Sequence, residues 1–214
     1  MTNSQALNSK NIIEEVILRE IKAIVYSKDC SSAPYSKFIL IATAIEFLGA
    51  CGDSFEFQKE KQSEDRFNKG LSYFNKKYHQ YSKSSSDIYL YEDFRCGLVH
   101  QFRPTSKVNL AERGKGYKNL NLTKEPLKLI IVLEDIYDDL EKAAKNFLKL
   151  ARKGKIPNIP KNSSTFLEVT KVTGTHTNNF MTRTAANIRM LVWLDGSTMN
   201  ILHCQAASGG DVFN

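Results

Sequence analysis

Arg95 and His100 are the two residues of this chain whose types and spacing best suit chemistry on a phosphate. They lie within the stretch YEDFRCGLVHQF, residues 91–102. Arginine is permanently charged and geometrically matched to phosphate, and an imidazole can accept or donate a proton near neutral pH. On a regular α-helix their five-residue separation amounts to about 140° of rotation and about 7.5 Å along the axis. We therefore expect them to occupy different stripes, and to line one cleft only where this helix meets another, for instance the same helix of a second subunit.

Glu46 lies in an otherwise apolar helical stretch, where a carboxylate without a partner would cost several kcal/mol. We therefore expect it to be paired. It could orient Arg95 or tune His100, and it could equally form a purely structural ion pair. A structural interpretation also exists for the other two residues: Arg95 pairs with Glu46 or Glu92, and His100 is a satisfied core or surface histidine.

Cys96 and Gly97 lie between the two candidate catalytic residues. A glycine inside a helix costs about 0.5–1 kcal/mol relative to alanine, and the compensation we expect is close approach of another backbone or of a ligand. Cys96 fits ordinary helix packing better than a catalytic or redox role. The four cysteines, at positions 30, 51, 96 and 204, show no C-x-x-C spacing. The sequence thus predicts reduced thiols, no metal site and no cofactor.

Helices must position these residues, because apolar side chains recur at three- and four-residue spacings along most of the first 154 residues. The predicted N-terminal caps are Ser32 for the second helix and Ser86 or Asp87 for the fourth. The last helix is expected to begin at Thr123, to run for about 30 residues or about 45 Å, and to stop at Gly154. The predicted helices, about five in number, are 9–27, 32–52, 66–83, 86–104 and 123–154.

Strands are predicted in two parts of the chain. Residues 107–123 alternate apolar and polar side chains around a Gly-Lys-Gly turn, which predicts a short basic hairpin. Further along, a linker is followed by three strand-like runs. These runs are 165–173, 188–194 and 198–204. We therefore predict a mainly α-helical fold, with a helical domain at 1–154 and a small β-rich C-terminal extension at 155–214.

The chain is basic, with a formal net charge of +7 and a pI near 9.1. Such a field attracts polyanions, among which nucleic acid is the commonest candidate, although the charge could also serve solubility alone. Tyr89, Tyr91 and Phe102 could stack on bases or could be core residues. Basic residues that follow the motif could track a phosphate backbone or could belong to an ordinary solvated hairpin. They are Arg103, Lys107, Arg113, Lys115 and Lys118.

The sequence predicts a cytoplasmic protein that does not enter a membrane. Its N-terminal residues are polar and lack the basic-then-apolar order of a signal peptide. No apolar run approaches the roughly 18 residues that a membrane span requires.

The order of these elements and two short motifs resemble the HEPN superfamily (higher eukaryotes and prokaryotes nucleotide-binding). The motifs are IEFLG at 45–49 and LYEDFRCGLVH at 90–100. The second is similar to the pattern L-Y-x-x-F-R-x-G-L-V-H of a plasmid- and defence-associated branch. The resemblance covers about residues 10–150 and leaves the C-terminal extension outside. It implies a helical bundle that forms a homodimer, with two R-x4-6-H motifs facing each other across one composite cleft.

The resemblance also implies a metal-independent endoribonuclease that acts as a toxin or a phage-defence effector. Cleavage of RNA by its own 2′-hydroxyl needs a base, an acid and a cation for the charge on the phosphorane. His100 would be the base or acid, Arg95 would stabilise the charge, and Glu46 would support them. Cys96 departs from the polar residue common at that position in active members. The alternatives are a non-catalytic nucleotide-binding or dimeric scaffold module, and a protein that depends on a partner such as an antitoxin.

Overall fold

A computed structural model describes residues 9–27, 34–57 and 59–156, together with the backbone of two short strands near the C-terminus. The first three stretches belong to one unit of the chain, and the two strands belong to another. Within the described residues, the first unit contains six helices and a three-stranded sheet. The predicted mainly α-helical class is therefore confirmed.

The first helix, α1, is continuous, and its middle part is a π-helix. It comprises Ser9–Ile12, the π-helical Ile13–Ile21, and Lys22–Tyr26. The prediction of this helix is confirmed, although apolar spacing gave no indication of the π turns. The face it buries repeats every four residues: Ile13, Ile17, Ile21 and Val25.

The second helix, α2, spans Pro34–Gly52 and has most of its side chains buried. Proline occupies the first turn as predicted, because its missing N–H would have no partner there, and Ser32 lies outside the described residues. The helix is long and apolar enough to cross a membrane by those two criteria alone, which corrects the expectation that no run approaches this length. In the structure 72% of its most apolar window is buried inside the protein, which is the pattern of a core helix.

The third helix, α3 (Ser63–Leu71), crosses α2 at two glycines. A Cβ atom at Gly49 would lie 1.7 Å from the carbonyl oxygen of Arg66, and one at Gly70 would lie 1.9 Å from that of Ile45. The two backbones are therefore in direct contact, which only glycine permits.

The prediction of a single helix at 66–83 is wrong, because the helix breaks after Leu71. Asn75 then caps a separate short helix, α4 (Lys76–His79), and its side-chain oxygen accepts a hydrogen bond from Lys77 N at 3.0 Å. An asparagine that bonds nearby backbone in this way competes with continuation of the preceding helix.

The fifth helix, α5, carries the candidate catalytic residues. It runs from a π-helical segment, Tyr91–Cys96, into an α-helical segment, Gly97–Gln101. The predicted caps Ser86 and Asp87 do not begin this helix. Ser86 Oγ instead donates to the carbonyl oxygen of Gln80 at 2.7 Å in the preceding turn.

Three strands form a mixed sheet in the order β1-β3-β2. They are β1 (Val108–Ala111), β2 (Asn121–Lys124) and β3 (Leu127–Val132). β1 runs parallel to β3, and β2 is antiparallel to β3. The predicted hairpin at 107–123 is therefore wrong in its pairing, because both of its strands exist but each pairs with β3. β3 is the most apolar of the three and its last four residues are buried, which suits the central position.

The predicted helix from Thr123 is wrong over its first ten residues. Thr123 lies in β2, and the sixth helix, α6, spans Leu133–Arg152. Residues 127–132 read LKLIIV, and a short apolar run with β-branched side chains fits a buried strand as well as a helix. Gly154 follows the end of the helix as predicted, with a φ of +66°. The buried apolar residues of α6 include Leu133, Ile136, Leu140, Ala143, Ala144 and Phe147.

The second unit contains an antiparallel hairpin of β4 (Val192–Asp195) and β5 (Thr198–Ile201). β4 overlaps the predicted run at 188–194 and extends one residue beyond it, and β5 lies within the predicted run at 198–204. The run at 165–173 lies outside the described residues.

Candidate active site

Glu46 is the partner of Arg95. Arg95 Nε donates to Glu46 Oε2 at 2.7 Å, across the contact between α2 and α5. The two side chains are only 11% and 8% exposed. The expectation that Glu46 is paired is confirmed, and Glu92, the other candidate partner, lies exposed. This ion pair fixes the guanidinium in place, because breaking it would leave a buried charge without compensation.

His100 contacts the same guanidinium from the solvent side. Arg95 Nη1 lies 3.2 Å from Nε2 of His100, which is exposed. The expected separation of the two residues on different stripes is therefore wrong for their side chains. Arg95 leaves the helix from its π-helical segment, where i→i+5 bonding widens the turn, and its long side chain spans the remaining offset. The candidate cation and the candidate base are thus in contact within one protomer.

The contact assigns roles to the two imidazole nitrogens of His100. A guanidinium has only donors, so a hydrogen bond between the two groups requires Nε2 of His100 to accept, which leaves Nδ1 to carry the ring N–H. A protonated imidazole would offer no acceptor and would repel the guanidinium. An anionic oxygen that takes over the Nη1 hydrogen of Arg95 would release Nε2. The pair can therefore exchange an internal hydrogen bond for a bond to phosphate.

Tyr91 packs against the same arginine, with Arg95 Cζ 5.8 Å from the centroid of its ring. The ring centroid is also 6.1 Å from that of Phe67. Burial raises the pKa of the Tyr91 hydroxyl, and interaction with Cys96 raises it further. Tyr91 is thus a half-buried wall of the arginine site, and its predicted contact with RNA stays a prediction.

Asp93 is a buried carboxylate that sequence reasoning missed. Its Oδ2 accepts from Tyr89 N at 2.8 Å, and its Oδ1 accepts from Thr105 Oγ1 at 2.7 Å. Lys107 Nζ lies 3.8 Å from Oδ2, and its side chain is 52% exposed. An acidic residue in the first turn of a helix commonly binds free backbone N–H groups, and this position was the available clue. Asp93 therefore ties the start of α5 to the chain that follows it.

Gly97 allows the chain after α5 to fold back onto the helix. A Cβ atom there would lie 2.6 Å from the carbonyl oxygen of Arg103 and 2.9 Å from Pro104 Cα. Arg103 N also donates to the carbonyl oxygen of Gly97 at 3.2 Å. The expectation that another backbone approaches this glycine is confirmed.

The basic residues predicted to bind RNA differ in their exposure and in whether an acidic side chain already pairs with them. Arg103 and Lys118 are exposed and make no ion pair within the part of the chain that the structure describes. Lys115 pairs with Glu112 at 3.1 Å, where both side chains are substantially exposed. Such a surface pair contributes little and is easily exchanged. Arg103, Lys115 and Lys118 therefore remain accessible to a polyanion.

Arg113, by contrast, is engaged by carboxylates of α6. It pairs with Asp138 at 2.7 Å and with Asp135, and these hydrogen bonds raise the pKa of the guanidinium further above its ordinary value. Its backbone N–H donates to Glu134 at 2.7 Å. Tyr26 of α1 donates to Asp138 as well. This cluster connects the loop after β1 to two helices, so Arg113 has a role in the fold that competes with its predicted contact with RNA.

Arg66 is a second buried arginine that sequence reasoning missed. Its Nε donates to Asp53 Oδ2 at 2.7 Å, while Nη1 and Nη2 donate to the carbonyl oxygens of Phe57 and Glu56 at 2.8 and 2.6 Å. These bonds fix the loop that follows α2. A cleft of about 420 Å³ lies at this loop, apart from Arg95 and His100. It is lined by Gly52, Asp53, Ser54, Phe55, Gln62, Asp65 and Lys69.

Comparisons with protein-family models, with curated proteins and with solved structures found no match. Among the described residues, no group of three or more His, Cys, Asp or Glu side chains is placed to hold a metal ion. Among those residues, the arrangement best suited to catalysis is the series of contacts from Glu46 through Arg95 to His100. It combines a fixed cation with an exposed proton acceptor, which is what attack on a phosphodiester requires.

Proposed function

We propose that this protein is an HEPN-like homodimeric endoribonuclease that cleaves RNA in the cytoplasm without a metal ion, as a toxin or phage-defence effector. The observation that carries the proposal is the 3.2 Å contact between Arg95 Nη1 and His100 Nε2. Glu46 holds the same guanidinium at 2.7 Å, so the cation is oriented before substrate binds. The net charge of +7 supports a polyanionic substrate.

In the proposed reaction the RNA phosphate takes over the Nη1 hydrogen of Arg95 and frees His100. One His100 of the dimer accepts the proton of the 2′-hydroxyl as the O2′–P bond forms. The partner's His100, which takes up a proton from solvent once the phosphate has displaced it from Arg95, gives that proton to the 5′-oxygen as the P–O5′ bond breaks. Arg95 stabilises the charge that develops on the non-bridging oxygens. The products are a 2′,3′-cyclic phosphate and a 5′-hydroxyl.

A non-catalytic nucleotide-binding or dimeric scaffold module is the second candidate. The burial of Arg95 favours it, because a guanidinium that is 11% exposed and bound to Glu46 has limited reach toward a phosphate. The occupation of Arg113 by acidic residues favours it as well. In this case His100 would complete a structural ion pair, and a partner protein such as an antitoxin would supply the activity or its control.

The two candidates are separated by incubating the purified protein with labelled structured RNA in EDTA and identifying the new ends. The nuclease is expected to produce 2′,3′-cyclic phosphate ends, and to leave RNA with 2′-O-methyl groups intact because the nucleophile is blocked. His100→Ala and Arg95→Lys, each confirmed to be folded and of wild-type oligomeric state, should lose cleavage. If the wild type leaves several RNAs intact while still binding them, the scaffold or binding module is the better account.

A further inference from the structure

Phe102 has a backbone conformation that its residue type does not favour. It follows the last residue of α5 with φ of +57° and ψ of +17°, in the left-handed region. Glycine is the usual residue at this position of a helix end, and a bulky side chain there is an outlier. The helix end itself is well formed, because Phe102 N donates to the carbonyl oxygen of Leu98 at 3.1 Å. The turn thus requires a left-handed residue, but nothing in it requires an aromatic ring.

Burial does not explain the ring either. Phe102 is 62% exposed, more than any other large apolar residue in the described part of the chain. Of the other two aromatic side chains at the motif, Tyr89 is 3% exposed and Tyr91 is partly buried. The left-handed backbone of this phenylalanine costs the fold stability, and a ring that is 62% exposed gains little burial in return. Such an outlier points to a function outside the fold.

The position of Phe102 is fixed relative to the candidate catalytic pair. It comes two residues after His100, which is exposed. The backbone of Arg103 and Pro104 packs directly on Gly97, where an added Cβ would lie 2.6 Å from Arg103 O. The turn that presents Phe102 is therefore locked onto the same helix segment that carries His100, and the exposed Arg103 stands beside it.

We propose that Phe102 is a stacking platform for an unpaired base of the RNA, which directs cleavage to single-stranded segments. The proposal rests on the proposed function and adds to it the structural class of substrate. An aromatic ring stacks on any base, but only on a base whose face is not already covered by neighbours in a duplex. Arg103 would contact a phosphate next to the stacked base.

The test uses the full chain, with Phe102→Gly as the main variant, because glycine suits the left-handed turn and keeps the protein folded. Tyr117→Ala is the matched control, since Tyr117 is another exposed aromatic residue, at 55% exposure. The ligands are a short single-stranded RNA with 2′-O-methyl groups and the corresponding duplex, measured by fluorescence anisotropy at one salt concentration. Phe102→Gly is expected to bind the single strand about 5- to 150-fold more weakly. Phe102→Trp and Tyr117→Ala should bind it like the wild type, and duplex affinity should stay unchanged.

The outcomes separate this inference from the proposed function. If Phe102→Gly binds the single strand as well as the wild type does, the stacking role is overturned, whether or not the wild type cleaves RNA. If Phe102→Gly instead weakens the dimer with RNA affinity unchanged, the ring contacts a second copy and the proposal is equally overturned. If the variant loses affinity for the single strand but the wild type does not cleave RNA in EDTA, stacking is supported and the proposed catalysis fails. A wild type that binds no RNA overturns both.

Discussion

Glu46 Oε2 and Arg95 Nε lie 2.7 Å apart, and this buried ion pair joins the core helix α2 to the motif helix α5. Removal of one partner leaves a buried charge without compensation. Glu46→Ala is therefore expected to lower the free energy of unfolding by about 3–5 kcal/mol. Urea denaturation followed by circular dichroism measures this change.

The matched control for Glu46 removes both charges, as in the double variant Glu46→Leu with Arg95→Met. Its stability should be closer to that of the wild type than the stability of Glu46→Ala, because no buried charge is left unpaired. A loss below about 1 kcal/mol in Glu46→Ala would mean that the pair behaves like a solvated surface pair. The account of how Arg95 is positioned would then be wrong.

Arg66 gives a prediction for the loop after α2. Lysine cannot reproduce its three divergent hydrogen bonds to Asp53, Glu56 and Phe57. We expect Arg66→Lys to destabilise the protein by about 1–3 kcal/mol and to make the loop at 53–57 more sensitive to limited proteolysis. Arg103→Lys, at an exposed position, serves as the control. Equal proteolysis of this loop in both variants would contradict the proposed role of Arg66.

The crossing of α2 and α3 predicts a strong effect of one methyl group. A Cβ atom at Gly70 would lie 1.9 Å from the carbonyl oxygen of Ile45, so Gly70→Ala must push the helices apart. We expect the free energy of unfolding, measured by thermal or urea denaturation, to fall by about 3 kcal/mol or more. Gly116→Ala is the comparison, because a Cβ atom at Gly116 would meet nothing within 4 Å. Its φ of +76° is unfavourable for alanine, so this variant should lose only about 1–2 kcal/mol of unfolding free energy through backbone strain. Similar losses in the two variants would rule out the close crossing.

The acidic residues of α6 predict a loss of stability in acid. Burial raises the pKa of Asp138, but hydrogen bonds from Tyr26 and Arg113 outweigh it and hold the pKa below its ordinary value. A hydrogen bond from Lys145 likewise lowers the pKa of Glu141. Because these pKa values are lower in the folded state, the stability they contribute is present above about pH 4 and is lost as pH falls through the folded values.

Urea unfolding at pH 7 and at several values below pH 4 tests this prediction. The variant Asp138→Asn should be less stable than the wild type at pH 7, and the difference should shrink as pH falls. A difference that stays constant over this range would show that Asp138 does not carry the acid sensitivity.

Apolar spacing predicted α1, α2 and all of α6, because each of these helices buries a face that repeats at helical intervals. It failed at residues 127–132, where LKLIIV suits a buried strand as well as a helix. Residues 127–132 form a strand because they pair with β1 and β2. The sequence of a short segment does not reveal such tertiary contacts.

The candidate site was predicted in its residues but not in its geometry. The need for a partner of Glu46 followed from the cost of burying a carboxylate, and the approach of a backbone to Gly97 followed from the cost of a glycine inside a helix. The contact between Arg95 and His100 was not foreseen, because the π-helical segment has no recognisable pattern in the sequence. Arg66 was missed because two of its three partners are backbone carbonyls. Asp93 was missed because the fold alone brings Thr105 and Lys107 to its carboxylate.

The most direct test of the central claim is the rate at which labelled RNA is cleaved in EDTA by the wild type and by His100→Asn. His79→Asn is the control, because His79 is the other histidine in the described part of the chain and its buried Nε2 has no hydrogen-bond partner there. We predict that the wild type and His79→Asn cleave at similar rates and that His100→Asn is slower by about 100-fold or more. Equal rates for all three proteins, or no cleavage by any of them, would contradict the assignment of catalysis to Arg95 and His100.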